Sequence, residues 1–162
     1  GIANVKLDVE AGKRYISRKR SVATNPIQDV FKQVNRRFVE LEENDPKKLK
    51  DPQWMKENLP FTGELFLGHL RYGTFGGNTI EQCHPFLRQN NWKTRNLVLA
   101  GNFNMTNVDE LFQQLVDLGQ HPKQMADTVT ILEKIGHFLD GANDEIYYKH
   151  KDDFSKKEIT AK

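Results

Sequence analysis

The chain has 162 residues, with 24 basic against 22 acidic side chains and a formal net charge of +2. Charge this balanced supplies no strong field for nucleic acid, and no run approaches the roughly 20 apolar residues of a membrane span. A single cysteine cannot form an internal disulfide, which suits a reducing compartment. At ~150 residues per domain the length predicts one domain. The start lacks a basic segment followed by an apolar one, so no signal peptide is expected. The expectation is a cytoplasmic protein with neither nucleic acid nor membrane as partner.

Ala3, Val5, Leu7 and Val9 alternate with Asn4, Lys6, Asp8 and Glu10. That is the period of a half-buried strand whose second face meets solvent. The strand pattern begins at once, which fits a fragment; removal of an initiator methionine accounts equally for Gly1. A turn at residues 10–13 leads to a basic strand over 14–20. It is read as an edge whose charges discourage further pairing, in preference to a nucleic-acid patch.

Asn25 as N-cap, Pro26 at the first helical position and Gln28 completing a capping box predict a helix. Ile27, Val30, Phe31, Val34, Phe38 and Leu41 form its apolar face. Residues 44–62 carry Pro46, Pro52 and Pro60 and read as an irregular or short-helical excursion. The continuous apolar run over 65–70 predicts a strand buried on both faces. It ends at Arg71 and Tyr72, before a glycine-rich turn. Residues 96–101 form a second buried-strand candidate, ending at Asn102 and Phe103. Asn107 with Glu110 opens a helix packed by Val108, Leu111, Phe112, Leu115 and Leu118, and Gly119 stops it. Asp127 or Thr128 caps a last helix with Ile131, Leu132, Ile135, Phe138 and Leu139 inside, and Gly141 ends it. Residues 142–162 read as a weak helix or loose tail.

Arg71 and Asn102 both stand where an apolar strand meets a turn. A guanidinium there can hold a carboxylate or phosphate through two bonds, and a carboxamide can donate to a developing oxyanion. Asp127, near a helix start, can hold an ammonium group. Singly, each has a structural role open to it: an ion pair for Arg71, a turn cap for Asn102, an N-cap for Asp127. Together they meet the needs of a site for a free amino acid. The five histidines show no metal-binding spacing, so no metal is expected. Cys83 beside His84 reads as a loop thiol, because neighbours in sequence rarely align as nucleophile and base.

These residues also resemble a known pattern. Residues 68–76, Gly-His-Leu-Arg-Tyr-Gly-Thr-Phe-Gly, are similar to the GHxRYSTxG motif of class II glutamine amidotransferases. His84-Pro85-Phe86 resembles the HPF that follows it. Residues 99–107 resemble LAHNGNLTN, and Ala126-Asp127-Thr128 resembles SDT. Tyr72, the HPF and the NLTN-like stretch favour the amidophosphoribosyltransferase branch. The resemblance implies an α/β (α+β) N-terminal-nucleophile hydrolase-like fold, a four-layer αββα sandwich incomplete at the N-terminus. Residues 1–162 would then be one truncated glutaminase domain, with the phosphoribosyltransferase domain absent.

By the same resemblance, Arg71 clamps the glutamine α-carboxylate with Thr74 and the Tyr72 backbone nearby, and Asp127 accepts the α-ammonium. The Asn102 side chain and the Phe103 backbone N–H supply the oxyanion donors. The family nucleophile, an N-terminal cysteine, is absent from the chain. Phe103 stands where the family has glycine, and Gly101 where it has histidine. The implied function is release of ammonia from glutamine for phosphoribosylamine formation in purine biosynthesis, by a domain with no cofactor of its own. The implied partners are glutamine, a phosphoribosyltransferase domain of the same full-length chain, and further copies in a homo-oligomer. The two substitutions keep an alternative open: a non-catalytic glutamine-sensing or structural module.

Overall fold

The computed structural model describes residues 1–70, 79–155 and 158–159. Helix and sheet are mixed, and the chain divides into two compact units, Gly1–Pro85 and Phe86–Lys162. None of its described helices is long and apolar enough to cross a membrane.

In the first unit, strand β1 (Ile2–Val5) lies between β2 (Ile16–Lys19) and β3 (Leu65–Gly68), antiparallel to both. The register sets Val5 against Ile16 on one side and Leu65 on the other. Ala3 of the predicted apolar face is buried, but the polar face is covered as well and is not the solvent face. Asn4 is 0% and Lys6 1% exposed, whereas Leu7 is 44% exposed. The physical reason is the segment after helix α2 (Pro52–Asn58), which wraps over that face. Asn4 donates to the Leu65 carbonyl at 3.0 Å and accepts the Gly63 N–H at 2.9 Å. Lys6 donates from Nζ to the Lys56 and Leu59 carbonyls, each at 2.5 Å. These oxygens lie at the end of α2, where carbonyls lack intrahelical partners. Thr62 adds a second donor to the Leu59 oxygen at 2.9 Å. The Asn4 and Lys6 side chains are thus matched, which is the condition for burying them at all.

Helix α1 (Pro26–Asn44) starts at the predicted proline, but Asn25 makes no side-chain cap bond. Only Val30 of its apolar face is buried; Ile27 and Phe31 are about half exposed. The excursion after it resolves into a short 3-10 helix and α2, whose N-cap Asp51 accepts the Trp54 N–H at 2.9 Å. Strand β3 departs from the expectation of two buried faces: Leu65, Phe66 and Leu67 are all exposed. It is the edge of its sheet, and an apolar run does not by itself distinguish an edge from a centre.

Glu64 supplies a pH-dependent tie. It pairs with Lys56 at 2.5 Å and accepts the Leu7 N–H at 2.9 Å. The Lys56 hydrogen bond, then that of Leu7, pulls its pKa from 4.5 to about 2. The folded carboxyl therefore stays ionised where the unfolded one takes up a proton. Its contribution is fully present above pH 4.5 and is lost as pH falls toward 2. Urea midpoints measured across that window should fall less steeply in Glu64→Gln than in the wild type; parallel curves would show that the tie carries no stability.

In the second unit, β4 (Phe86–Arg88) pairs antiparallel with β5 (Leu97–Leu99). Both are half-buried, short of the full burial expected for residues 96–101. Helix α3 (Val108–Asp117) buries Leu115 completely. Gly119 (φ +81°) closes it, donating to the Val116 carbonyl while Gln120 donates to that of Leu115. Helix α4 (Asp127–His150) runs for 24 residues, straight through Gly141. Thr128, Val129, Thr130, Leu132 and Gly136 are its buried positions, while Ile135 and Phe138 face outward. Tertiary pairing overrides the predicted stop. Asp140 and Asp144, on either side of Gly141, bind Arg88 and Arg95.

Candidate functional site

Arg71, Tyr72 and Thr74 lie outside the described residues, as does the glycine-rich turn at 73–78. The first unit describes the approach to them. His69 and Leu70 follow β3 and line an open cleft of about 620 Å³, together with Ser21, Asn25, Cys83 and His84. The His69 and His84 rings stack with centroids 4.4 Å apart. His84 is buried. The basic strand predicted over 14–20 is drawn on here. Arg18 donates to the Pro85 carbonyl at 3.2 Å and Arg20 to that of Cys83 at 3.1 Å. Two of its charges thus hold the loop that carries the HPF residues, while Lys13 and Arg14 remain exposed. Burial lowers the Arg18 pKa, and the nearby Arg20 charge adds to this.

Cys83 sits half-buried with its thiol directed at backbone, 3.5 Å from the Thr79 carbonyl oxygen and 3.8 Å from that of Ser21. Those are the contacts of a loop thiol. Among the described residues, no group of three or more His, Cys, Asp or Glu side chains is placed to hold a metal ion.

In the second unit Asp127 is tied to the loop that carries Asn102 and Phe103 by one hydrogen bond, to Met105. β5 ends at Leu99 and the chain runs on without regular structure to α3. Asp127 is the first residue of α4, not its cap; Ala126 takes that place without a side-chain bond. The Asp127 carboxylate instead reaches back to the loop, accepting the Met105 N–H at Oδ2 across 3.0 Å. A carboxylate at a helix N-terminus is favoured by the exposed amides there. One oxygen of the carboxylate thus holds the loop. Asn102, three residues before Met105 in the chain, is exposed.

Sequence reasoning missed Met105, because its contribution is a backbone N–H and no side-chain type signals it. It also treated Gly101 and Phe103 as separate departures. The Phe103 ring in fact lies over Gly101, with three ring carbons within 3.0 Å of where a Cβ at 101 would stand.

Comparison with known proteins places the chain among relatives of one kind. An amidophosphoribosyltransferase from Lacticaseibacillus casei is 36% identical over 76 residues, 47% of this chain and 38% of that protein. Over about half its length, this chain is similar to amidophosphoribosyltransferases. The Bacillus subtilis protein of that name is 37% identical over 81 residues, covering 47% of this chain and 16% of its own length. The Methanocaldococcus jannaschii protein is 31% identical over 84 residues, 52% and 17% respectively. The matched stretch is thus well under half of each of these relatives. No protein-family model matches the chain, and no solved structure gives a significant match.

Proposed function

We propose that this chain is the greater part of a class II glutamine amidotransferase domain of an amidophosphoribosyltransferase-like enzyme. The observation that carries the reading is the Asp127–Met105 bond. It ties the SDT-like stretch to the LAHNGNLTN-like loop within one unit, the two motifs from which the family draws its ammonium acceptor and oxyanion donors. The similarity to amidophosphoribosyltransferases supports it independently. In this reading the domain adopts the four-layer αββα sandwich and supplies ammonia to a phosphoribosyltransferase domain in purine biosynthesis.

The chemistry follows from the groups. Arg71 holds the glutamine α-carboxylate by two parallel bonds, with Thr74 and the Tyr72 backbone beside it. Asp127 receives the α-ammonium at the oxygen that Met105 does not use. A thiolate attacks the side-chain amide carbon, and the carbonyl oxygen gains negative charge. The Asn102 carboxamide and the Phe103 N–H donate to that oxygen. The thiol proton, taken up by the cysteine's own α-amine, passes to the departing nitrogen; collapse expels ammonia and leaves a thioester, which water cleaves to glutamate and free thiol. The nucleophile in this account is the N-terminal cysteine of the family pattern, which is not among these 162 residues, and the reading predicts that these residues bind glutamine without turning it over.

Calorimetric titration of L-glutamine into the 162-residue protein tests the binding half. Asp127→Asn keeps an acceptor for Met105 while removing the charge, and should weaken binding about 10- to 100-fold, the worth of a charged hydrogen bond. Arg71→Ala should weaken it at least as much. Binding that is indifferent to both substitutions would sink the reading. The non-catalytic module is the second reading, favoured by Phe103 and Gly101, and differs in having no cysteine to attack.

A further inference from the structure

We propose that Gly101 and Phe103 act as a single positioning pair for Asn102, the aromatic ring occupying the volume that a side chain at 101 would otherwise take. This rests on the reading of Asn102 as a donor to substrate. Any Cβ at position 101 would stand within 3.0 Å of three carbons of the Phe103 ring, a separation side chains do not show. These are the outermost atoms of the half-buried Phe103 ring, so a side chain at 101 requires the ring to leave its present place. A side chain at 101 and the present ring position at 103 therefore exclude each other. Asn102, the residue between them, takes its backbone course from both. The far side of the loop is fixed separately, by Asp127 on the Met105 N–H. The loop is thus held on both sides of its exposed carboxamide, by packing before it and by a charged hydrogen bond after it. On this account the two departures from the family pattern are one exchange, in which bulk moves across Asn102 from position 101 to 103. Phe103 touches the reacting groups only through its backbone; its ring is a positioning element.

The test is a double-mutant cycle of Gly101→His, Phe103→Gly and the two together. It is read by urea midpoint and by the Asn102 side-chain amide signal in nitrogen–proton NMR, with L-glutamine as probe. Each single variant should lower the midpoint, move the Asn102 signal and weaken glutamine binding by about tenfold, and the double variant should recover most of each loss. Losses that simply add would overturn the pairing. So would recovery of the midpoint with no return of the Asn102 signal, because that is the mark of a merely structural contact. If the cycle closes on midpoint and signal while glutamine leaves wild-type Asn102 unmoved, the pairing stands and the glutamine reading fails. Phe103→Leu, which keeps bulk at the position, should hold the Asn102 signal near its wild-type place.

Discussion

Lys6→Met should destabilise the protein by about 2 kcal/mol, despite removing a charge from the interior. Two effects oppose one another. Taking an ammonium out of water is costly, and burial does push the Lys6 pKa below 10.5, with the Arg14 charge adding to the effect. Against this, Nζ holds two carbonyl oxygens at the end of α2. Leu59 keeps Thr62 as a donor after the substitution, but the part-buried Lys56 oxygen loses the Lys6 donor. Hydrogen bonds to a charged donor contribute about 1.5–3 kcal/mol each, so losing two outweighs the relief. Equilibrium urea unfolding at pH 7 measures the difference; a variant as stable as the wild type would mean that desolvation wins. The pH dependence has a definite sign. With the folded pKa lowered, the unfolded chain binds this proton more tightly, so wild-type stability from this group rises as pH climbs toward 10.5. The gap to Lys6→Met should widen over that range.

Arg88→Met should cost a similar amount in the second unit, about 2–4 kcal/mol. Arg88 bonds Asp140 through both Nη atoms, at 3.1 and 2.5 Å, and Glu133 through Nε at 3.2 Å. It also donates to the Arg95 carbonyl at 3.2 Å. Its side chain is only 15% exposed. Hydrogen bonding to Asp140, more than the adverse burial, raises its pKa, so it stays charged throughout. Removal leaves two carboxylates on one stretch of α4 without their cation. Lysine should not rescue, since one ammonium cannot reproduce the planar fork. Gly136 is the companion position, because a Cβ there would stand within 3.0 Å of Nε and two neighbouring carbons of Arg88. Gly136→Ala should therefore lose stability in the same direction, although alanine favours helix. A neutral or stabilising result for both substitutions would show that the ion cluster is incidental to the packing.

These two residues also show where the sequence was legible and where it was not. The starts of α1 and α3 and the stop at Gly119 follow local rules, and the structure has them. The side-chain caps expected of Asn25 and Asn107 are absent, since a helix start can be fixed by packing without its cap bond. Alternation in β1 leads to the expectation of one buried face, whereas Ala3 and Asn4, on opposite faces, are both buried. Asn4 and Lys6 are buried because partners some 50–60 residues away supply the missing hydrogen bonds, and no local pattern records that. Gly141 does not end α4, because Asp140 and Asp144 are committed to arginines of the preceding segment.

The candidate site divides in the same way. Asn102, Phe103 and Asp127 are singled out by motif and by residue chemistry, and the Asp127–Met105 bond ties the helix start to the loop that carries the other two. What the residue types could not show was a contact made by backbone, and a glycine whose meaning depends on the ring two positions on.

The most direct test of the account is mass spectrometry of the protein expressed from its complete reading frame, after treatment with a diazo-ketone analogue of glutamine. The account predicts one covalent adduct, on an N-terminal cysteine, lost when Arg71 is replaced by alanine. An adduct on Cys83, or no adduct on a protein whose N-terminus is not cysteine, would contradict it.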